Sequence, residues 1–307
     1  MVEENGREPS RPPVRSKSSD DAAGRQPAEG LVIVATPIGN RHDITLRALA
    51  LLGSVDLVAC EDTRVTGKLL ALHGIRAKLQ AYHEHNAASV RPLLLARLAK
   101  GERIALVSDA GTPLISDPGY KLVREAIAAG IPVGVAPGPS AVLAALVLSG
   151  LPSDRFFFAG FLPPREAARR SALSELAPIR ASLIFFEAPS RLAAALADMA
   201  AVLGDRDAAV ARELTKLFEE VRRDRLPALA AHYRAAGPPK GELVVTVGPP
   251  AAVEAPADAD VDEQLRAALA AHSLRDAVAA VAAATGLPRR AVYRRALALS
   301  GSVGDEP

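Results

Sequence analysis

Residues 108–119 of this chain read Ser-Asp-Ala-Gly-Thr-Pro-Leu-Ile-Ser-Asp-Pro-Gly, directly after an apolar run over residues 104–107. The apolar run predicts a strand buried on both faces of a parallel sheet. In open α/β sheets, ligands bind beyond the carboxyl ends of such strands. The segment combines small residues that expose the backbone, two prolines that restrict it, and side chains that form hydrogen bonds. It is therefore a candidate ligand-binding loop, and a tight structural turn is the alternative.

Three more apolar runs in the first half of the chain end in loops of the same kind. They are residues 31–35, 55–59 and 132–136, and the loops that follow them are residues 36–40, 61–64 and 137–141. Helical patterns come after the loops, and alternating strands and helices are typical of a mostly parallel sheet with right-handed crossovers. Because parallel strands end at one edge of a sheet, the four loops are expected to converge on one cleft.

The chain has 307 residues, which is enough for about two domains, and a break at Gly150-Leu151-Pro152 separates two α/β patterns. Further strands are predicted over residues 156–161, 183–186, 208–211 and 243–247. We expect a disordered tail over residues 1–29, an N-terminal α/β domain with the binding loops over 30–149, a C-terminal α/β domain over 150–249, a linker over 250–260 and a small helical domain over 261–307.

Composition limits the classes of protein to which the chain can belong. The formal net charge of +2 does not by itself indicate a nucleic-acid-binding protein. A single cysteine, Cys60, excludes an internal disulfide framework and fits a reducing cytoplasm. No apolar run reaches the length of a membrane span, and the first residues lack the apolar region of a secretory signal. We therefore expect a cytoplasmic protein.

Several common motifs are missing from the sequence. The first predicted strand is not followed by G-x-G-x-x-G, and neither a P-loop nor a G-x-S-x-G nucleophile elbow occurs. The segment His83-Glu84-His85 has no further ligands at zinc-site spacing, so a solvated loop is expected there and no metal. The residues alone therefore leave the ligand of the four loops open.

The sequences of the four loops resemble the tetrapyrrole methylase superfamily, and within it the methyltransferase I family, which acts on a cytidine 2′-oxygen of small-subunit (16S) ribosomal RNA. The matching motifs are Thr36-Pro37-Ile38-Gly39-Asn40, Glu61-Asp62-Thr63-Arg64, Ser108-Asp109-Ala110-Gly111-Thr112-Pro113 and Pro137-Gly138-Pro139-Ser140. The resemblance covers about residues 31–250, with a matching helical tail. It implies two α/β domains of the class III methyltransferase type, followed by a small C-terminal helical domain.

The resemblance also implies a cofactor, an oligomeric state and a partner. Members of the family use S-adenosylmethionine, work as homodimers and modify the small ribosomal subunit. By motif position, the residues expected to contact the cofactor are Pro37, Asp109, Ala110, Gly111, Thr112, Pro113, Leu114, Ser140, Ala141 and Ala211. One departure is the segment Glu187-Ala188-Pro189-Ser190-Arg191, where the family usually has Glu-Ser-Pro-His-Arg.

Methylation of a ribose hydroxyl is helped by a general base, because a neutral hydroxyl is a poor nucleophile. Glu61 and Asp62 are candidate bases, and Arg64 is a candidate for orienting a phosphate or a carboxylate. The alternative is that these three side chains form a network of surface ion pairs.

Binding to RNA requires a basic surface, and the helical tail offers Arg289, Arg290, Arg294 and Arg295 without an intervening acid. The alternative is a solvated helical face. Two other functions remain open from the sequence. One is a methyltransferase that acts on a tetrapyrrole or another small molecule, and the other is a non-catalytic RNA-binding protein of ribosome assembly.

Overall fold

A computed structural model describes residues 30–251 and 258–301 of the chain. Contacts between Cα atoms divide these residues into two units, with the division between Pro250 and Ala251. The first unit contains two five-stranded sheets, and the second contains three helices. The expectations for residues 1–29, for residues 252–257 of the linker and for residues 302–307 lie outside the described residues.

The first sheet is parallel throughout and has the strand order β3-β2-β4-β1-β5. Its strands are β1 Gly30–Val34, β2 Leu57–Cys60, β3 Leu79–Ala81, β4 Arg103–Val107 and β5 Val133–Ala136. This arrangement confirms the four predicted strands, although β2 begins two residues later than expected. The sequence did not predict β3, because three residues are too few to show a pattern.

Helices cover both faces of the first sheet, which explains why its strands are continuous apolar runs. These helices are α1 Leu46–Leu52, α2 Thr63–Leu72, α3 Ala87–Leu98 and α4 Tyr120–Ala128, and a fifth helix, α5 Ala141–Ser149, follows β5. Alternate residues of β1 enter different cores: Val32 and Val34 pack with α1, whereas Leu31 and Ile33 pack with α3 and α4.

The second sheet is mixed and has the order β6-β7-β10-β8-β9. Its strands are β6 Phe156–Phe161, β7 Ser182–Glu187, β8 Asp207–Arg212, β9 Glu220–Arg225 and β10 Leu243–Val247, and its helices are α6 Glu166–Leu176, α7 Leu192–Leu203 and α8 Leu226–Ala236. Only β6 and β7 run parallel. The sequence did not indicate β9, since this charged strand at the edge of the sheet lacks an apolar pattern.

Helix α5 belongs to the first sheet by sequence but packs against the second sheet. Val142 and Leu146 of α5 form one core with Ile184 and Val244, which lie on the face of the second sheet turned away from α6–α8. Ile38, from the loop after β1, joins the same core. This shared core fixes the loops of the first sheet against the second sheet.

The second unit is a bundle of α9 Asp258–Ala271, α10 Leu274–Thr285 and α11 Arg289–Gly301. Its core consists of Val261, Leu265, Val278, Val281, Val292 and Ala296. Ser273 caps the start of α10, and Gly286, with φ of 69°, ends it in the left-handed conformation that favours glycine. In the part of the chain that the structure describes, every helix is too short or too polar to cross a membrane.

A buried ion-pair network joins α6 to α7. The carboxylate of Asp198 is 2.5 Å from Nη2 of Arg169 and 2.7 Å from Nε of Arg170, and Asp198 is 3% exposed. Removal of one member of such a network leaves a buried charge without its partner, which is strongly destabilising.

We expect Asp198→Ala to lower the free energy of unfolding by about 3 kcal/mol, because the buried guanidinium of Arg169 loses its counter-ion. Urea unfolding followed by circular dichroism measures this change. The control is Asp205→Ala, which breaks an exposed pair with Arg225 and should have a much smaller effect. Equal losses in the two variants would contradict a special role for the buried network.

Candidate active site

Hydrogen bonds tie the loop after β4 to the loops after β1 and β2. The backbones of Thr36 and Gly111 exchange two hydrogen bonds, of 2.9 and 3.0 Å, and the hydroxyl of Thr36 donates to the carbonyl of Ser108. The backbone N–H of Asp62 donates to the carboxylate of Asp109 at 3.0 Å. The central loop therefore holds both neighbouring loops in register with itself.

The loop after β5 is attached in the same way. The hydroxyl of Thr112 donates to the carbonyl of Pro139 at 3.1 Å. Ser140 accepts from the N–H of Leu143 and caps α5. The predicted convergence of four loops at one edge of the first sheet is thus confirmed.

A cleft of about 500 Å³ lies between these loops and the second sheet. The first sheet contributes Ile38, Glu61, Asp109, Ala110, Gly111, Thr112, Ile115, Ser116, Asp117, Ser140, Ala141 and Val142. The second sheet and its loops contribute Phe161, Phe186, Glu187, Ala188, Pro189, Leu214, Gly241, Glu242, Leu243 and Val244. Its size is that of a small-molecule site.

The two sides of the cleft meet closely at Gly39. A Cβ atom at this position would lie 2.5 Å from Cγ of Lys216 and 2.8 Å from the carbonyl oxygen of Leu214, so only glycine fits without a shift. The backbone N–H of Asn40 donates to the hydroxyl of Thr215 at 2.9 Å. These contacts join the loop after β1 to the loop after β8.

The cleft is acidic. Five carboxylates line it, those of Glu61, Asp109, Asp117, Glu187 and Glu242, and none of the described lining residues is Lys or Arg. Such a surface attracts a positively charged ligand and repels the phosphates of a nucleic acid.

Asp117 is the most perturbed of these carboxylates. The pKa of Asp117 is raised to about 6, mainly by burial and in addition by the nearby charges of Glu61 and Asp109, whereas the Ser108 hydroxyl opposes the shift. Burial is also the main reason why the pKa values of Glu61 and Asp109 are raised. A carboxylate with a pKa near neutrality is suited to accept a proton.

The segment that carries Asp117 has a strained backbone. Leu114 and Ser116 have φ angles of 75° and 64°, which side chains other than glycine rarely adopt. Strain of this kind persists where the surrounding structure enforces it, and it is common at active sites.

The predicted site residues fall into two groups. Those in the cleft wall are Glu61, Asp109, Ala110, Gly111, Thr112, Ser140 and Ala141. Those outside the wall are Pro37, Asp62, Arg64, Pro113, Leu114 and Ala211. Ala211 is 2% exposed and packs in the core shared by α5 and the second sheet, and Leu114 packs beside the core under α3 and α4.

Asp62 and Arg64 form the local ion pair that the sequence left open as an alternative. Asp62 caps α2 by accepting from the backbone N–H of Arg64, and its carboxylate is 2.6 Å from Nη2 of the same residue. The hydrogen bonds from Arg64 lower the pKa of Asp62 to about 2. The Asp62 carboxylate is therefore a weak base in this arrangement.

The segment that departs from the family motif lies partly in the wall of the cleft, because Glu187, Ala188 and Pro189 line the cleft and Ser190 does not. Glu187 is 3% exposed, accepts from the N–H of Ala188 and lies 3.1 Å from Nε of Arg191. Nη2 of Arg191 donates to the carbonyl of Leu162, so the guanidinium links the start of α7 to the end of β6. Burial raises the pKa of Glu187.

Sequence reasoning did not single out Asp117 or the lining residues of the second sheet. Asp117 lies in the loop over residues 108–119 that the sequence singles out, and the available signal was a second aspartate in that loop, followed by Pro-Gly. Phe161, Phe186 and Val244 read as ordinary strand residues, because nothing in a strand pattern shows which face meets a second sheet. Within the described ranges, no cluster of three or more His, Cys, Asp or Glu residues is arranged to hold a metal ion.

Residues 30–230 match the family model of the tetrapyrrole (corrin/porphyrin) methylases. The chain belongs to this family. Residues 255–300 also match the model described as the RsmI C-terminal HTH domain. Two α/β domains of the tetrapyrrole methylase type, with a small helical domain after them, are thus confirmed.

Two relatives align with nearly the whole length of this chain. Ribosomal RNA small subunit methyltransferase I of Mesorhizobium japonicum is 55% identical over 278 residues, which are 90% of this chain and 94% of that protein. The protein of the same name from Escherichia coli O157:H7 is 45% identical over 287 residues, with 93% and 99% covered.

Two solved structures share the fold of the first unit. Uroporphyrin-III-C-methyltransferase from Thermus thermophilus has a TM-score of 0.52 at 23% identity, with 71% of this chain and 93% of that chain covered. Diphthine synthase has a TM-score of 0.55 at 17% identity, with 71% and 89% covered.

The arginines of the helical unit differ in their surroundings. Arg289, Arg290 and Arg294 are exposed, and none of the three forms an ion pair with another described residue. Arg295 instead bonds to Asp258 and Asp262 of α9 and thereby joins α11 to α9. A structural role therefore already occupies one of the four predicted RNA-binding arginines.

The raised pKa of Asp117 has a consequence for stability. The folded protein holds this proton more tightly than the unfolded chain, so ionisation of Asp117 costs stability as the pH rises from about 4 through about 6. Since the side chain is partly exposed, we expect Asp117→Asn to be more stable than the unmodified chain at pH 8 by about 1 kcal/mol, with no gain at pH 4.

Thermal melting at a series of pH values measures this difference. The matched control is Asp154→Asn, which makes the same change of side chain at an exposed position outside the cleft. A gain in Asp117→Asn that does not change between pH 4 and pH 8 would contradict the assignment.

Proposed function

We propose that the chain is an S-adenosylmethionine-dependent methyltransferase that modifies the 2′-oxygen of a cytidine ribose in 16S ribosomal RNA. The observation that carries this proposal is the acidic cleft without basic lining residues, formed by the four loops that identify the family. Near full-length relatives named ribosomal RNA small subunit methyltransferase I support the choice of substrate.

The residues of the cleft fit the methyl donor. The donor supplies a methyl group on a positively charged sulfur, which leaves as a neutral thioether. The carboxylates of Glu61, Asp109 and Asp117 favour this positive charge over an anionic ligand. Backbone groups at Ala110–Thr112 are accessible because their side chains are small, and Ser140 and Ala141 bound the same space.

In this proposal, the remaining predicted cofactor residues lie behind the wall of the cleft and support the loops without contacting the donor. Pro113 and Pro37 restrict the backbone of their loops, which lowers the ordering entropy lost on binding. Leu114 and Ala211 fill the cores on which the loops rest. We propose that substitutions at these four positions change donor affinity through loop geometry rather than through a lost contact.

Asp117 is the proposed proton acceptor. The ribose 2′-oxygen attacks the methyl carbon in line with the departing sulfur, and its proton passes to the Asp117 carboxylate. The charges of Glu61 and Asp109 add to the effect of burial on the pKa of Asp117, and both residues belong to the acidic wall. Asp62 and Arg64 act indirectly in this proposal, because their ion pair fixes the start of α2 and the Asp62 N–H orients Asp109.

Radioactive methyl transfer tests the reaction. With labelled donor and purified small ribosomal subunits that lack the modification, we expect label in the cytidine ribose of 16S RNA. Label in a corrin precursor instead would support a small-molecule methyltransferase, and no label in either would support a non-catalytic assembly protein.

Three variants test the assignment of the base. We expect Asp117→Asn to lower single-turnover methylation at saturating donor about 100-fold, which is the usual scale of a lost general base. Glu61→Gln should move the rise of the pH–rate profile to lower pH, because the pKa of Asp117 falls when the neighbouring charge is removed. Asp62→Asn should have the smallest effect, and a larger loss in Asp62→Asn than in Asp117→Asn would reverse the assignment.

The proposal includes partners and location. The small ribosomal subunit is the proposed substrate particle, and the arginines of the helical unit are the proposed phosphate contacts. We also propose a cytoplasmic homodimer, for which the exposed apolar side chains of Leu143 and Val147 on α5 offer contact surface. Sedimentation velocity of the purified chain measures its oligomeric state.

Deletion of residues 255–307 separates the two binding functions. We expect the truncated chain to bind the donor with unchanged affinity, because every residue of the cleft wall lies before Pro250. Its affinity for small subunits should fall, since the arginines are removed. Unchanged affinity for the RNA substrate after truncation would refute the RNA-binding role of the helical unit.

A further inference from the structure

A surface groove runs between α10 and α11 in the helical unit. Six side chains line it with the same spacing on the two helices, namely Leu274, Arg275 and Val278 on α10 and Arg289, Arg290 and Tyr293 on α11. Val278 is 4% exposed and belongs to the core of the bundle, so the floor of the groove is apolar. The groove holds about 530 Å³, which is enough for a flat aromatic ligand.

The rim of the groove is positively charged. Arg275, Arg289 and Arg290 are exposed, and in the ranges that the structure covers none of them is paired with an acid. Arg295, which also belongs to α11, is instead held by Asp258 and Asp262 of α9. The three rim arginines are therefore available to an anionic ligand.

Tyr293 supplies an aromatic surface between these charges. Its side chain is 45% exposed although it extends from a helix with a well-packed core. An aromatic ring and arginines in one groove match a single-stranded nucleic acid, in which unstacked bases alternate with phosphates. A duplex fits less well, because its bases stay stacked on one another and present no open face to the ring.

We propose that the groove between α10 and α11 binds an unpaired nucleotide of the RNA substrate, with the base stacked on Tyr293 and the flanking phosphates bound by Arg275, Arg289 and Arg290. This inference rests on the proposed function in one respect, namely that the polyanion is RNA. The proposal thus assigns a role to Tyr293 and Arg275, and it makes the helical unit a domain that binds single-stranded RNA.

Fluorescence anisotropy with the full-length chain tests the proposal. The probes are a labelled, unstructured 12-nucleotide RNA and an RNA duplex of the same sequence, titrated at fixed ionic strength. We expect the single strand to bind more tightly. Tyr293→Leu, which keeps an apolar side chain but removes the ring, should weaken single-strand binding about tenfold. Tyr293→Phe should restore most of the affinity lost in Tyr293→Leu.

The arginines are tested by salt dependence. Arg275→Ala should reduce the slope of log K against log salt concentration by about 0.7, the value for one phosphate contact with a single strand. The matched control is Arg266→Ala, which removes an exposed arginine of α9 outside the groove and should leave the slope unchanged. If Tyr293→Leu fails to fold in thermal melting, the exposed Arg275 still decides the question.

Three results would overturn the proposal: no binding of the single strand by the unmodified chain, tighter binding of the duplex, or displacement of the RNA by an acidic peptide at lower concentration than by competitor RNA. Methyl transfer to small subunits is measured in parallel. If the unmodified chain methylates small subunits but Tyr293→Leu does not change RNA affinity, only the proposed role of the groove is refuted. If RNA binding depends on the groove but no methylation occurs, only the proposed function is refuted.

Discussion

Hydrogen bonds between residues 108–112 and the three neighbouring loops are the constraint on which the rest of the site depends. They join backbone to backbone at Thr36 and Gly111, backbone to carboxylate at Asp62 and Asp109, and hydroxyl to carbonyl at Thr112 and Pro139. Without these hydrogen bonds, the direction in which each loop leaves its strand would depend only on its own turn. Joined in this way, the loops form one wall of the cleft. The core around α5 packs this wall against the second sheet.

Charge is divided between the two units of the chain. The cleft of the first unit has a wall of carboxylates, which favours a cationic methyl donor and disfavours phosphate. The helical unit instead exposes arginines that no described acid neutralises, beside an aromatic ring. A net charge of +2 conceals this division, because the acidic and basic residues nearly cancel over the whole chain.

The sequence predicted those parts of the structure that depend on local pattern. Continuous apolar runs gave the strands of the first sheet, and the rule that parallel strands end at one edge gave the convergence of their loops. The far wall was not predictable, since Phe186 and Val244 carry no mark of facing a cleft. Arg295 looked free because its partners, Asp258 and Asp262, lie more than 30 residues away in sequence and only the folded bundle brings them together. Asp117 lies in the loop that the sequence singles out, but its burial near other carboxylates arises only when the chain folds.

The central claim is that the cleft between the two sheets binds the methyl donor, and calorimetric titration with S-adenosylhomocysteine tests it most directly. The account expects one binding site per chain, lost in Ala141→Phe because the larger ring fills the cleft, and retained in Ala128→Phe, where the ring points from an exposed position of α4. Thermal melting establishes that both variants are folded. Absence of binding by the unmodified chain, or equal binding by folded Ala141→Phe, would contradict the account.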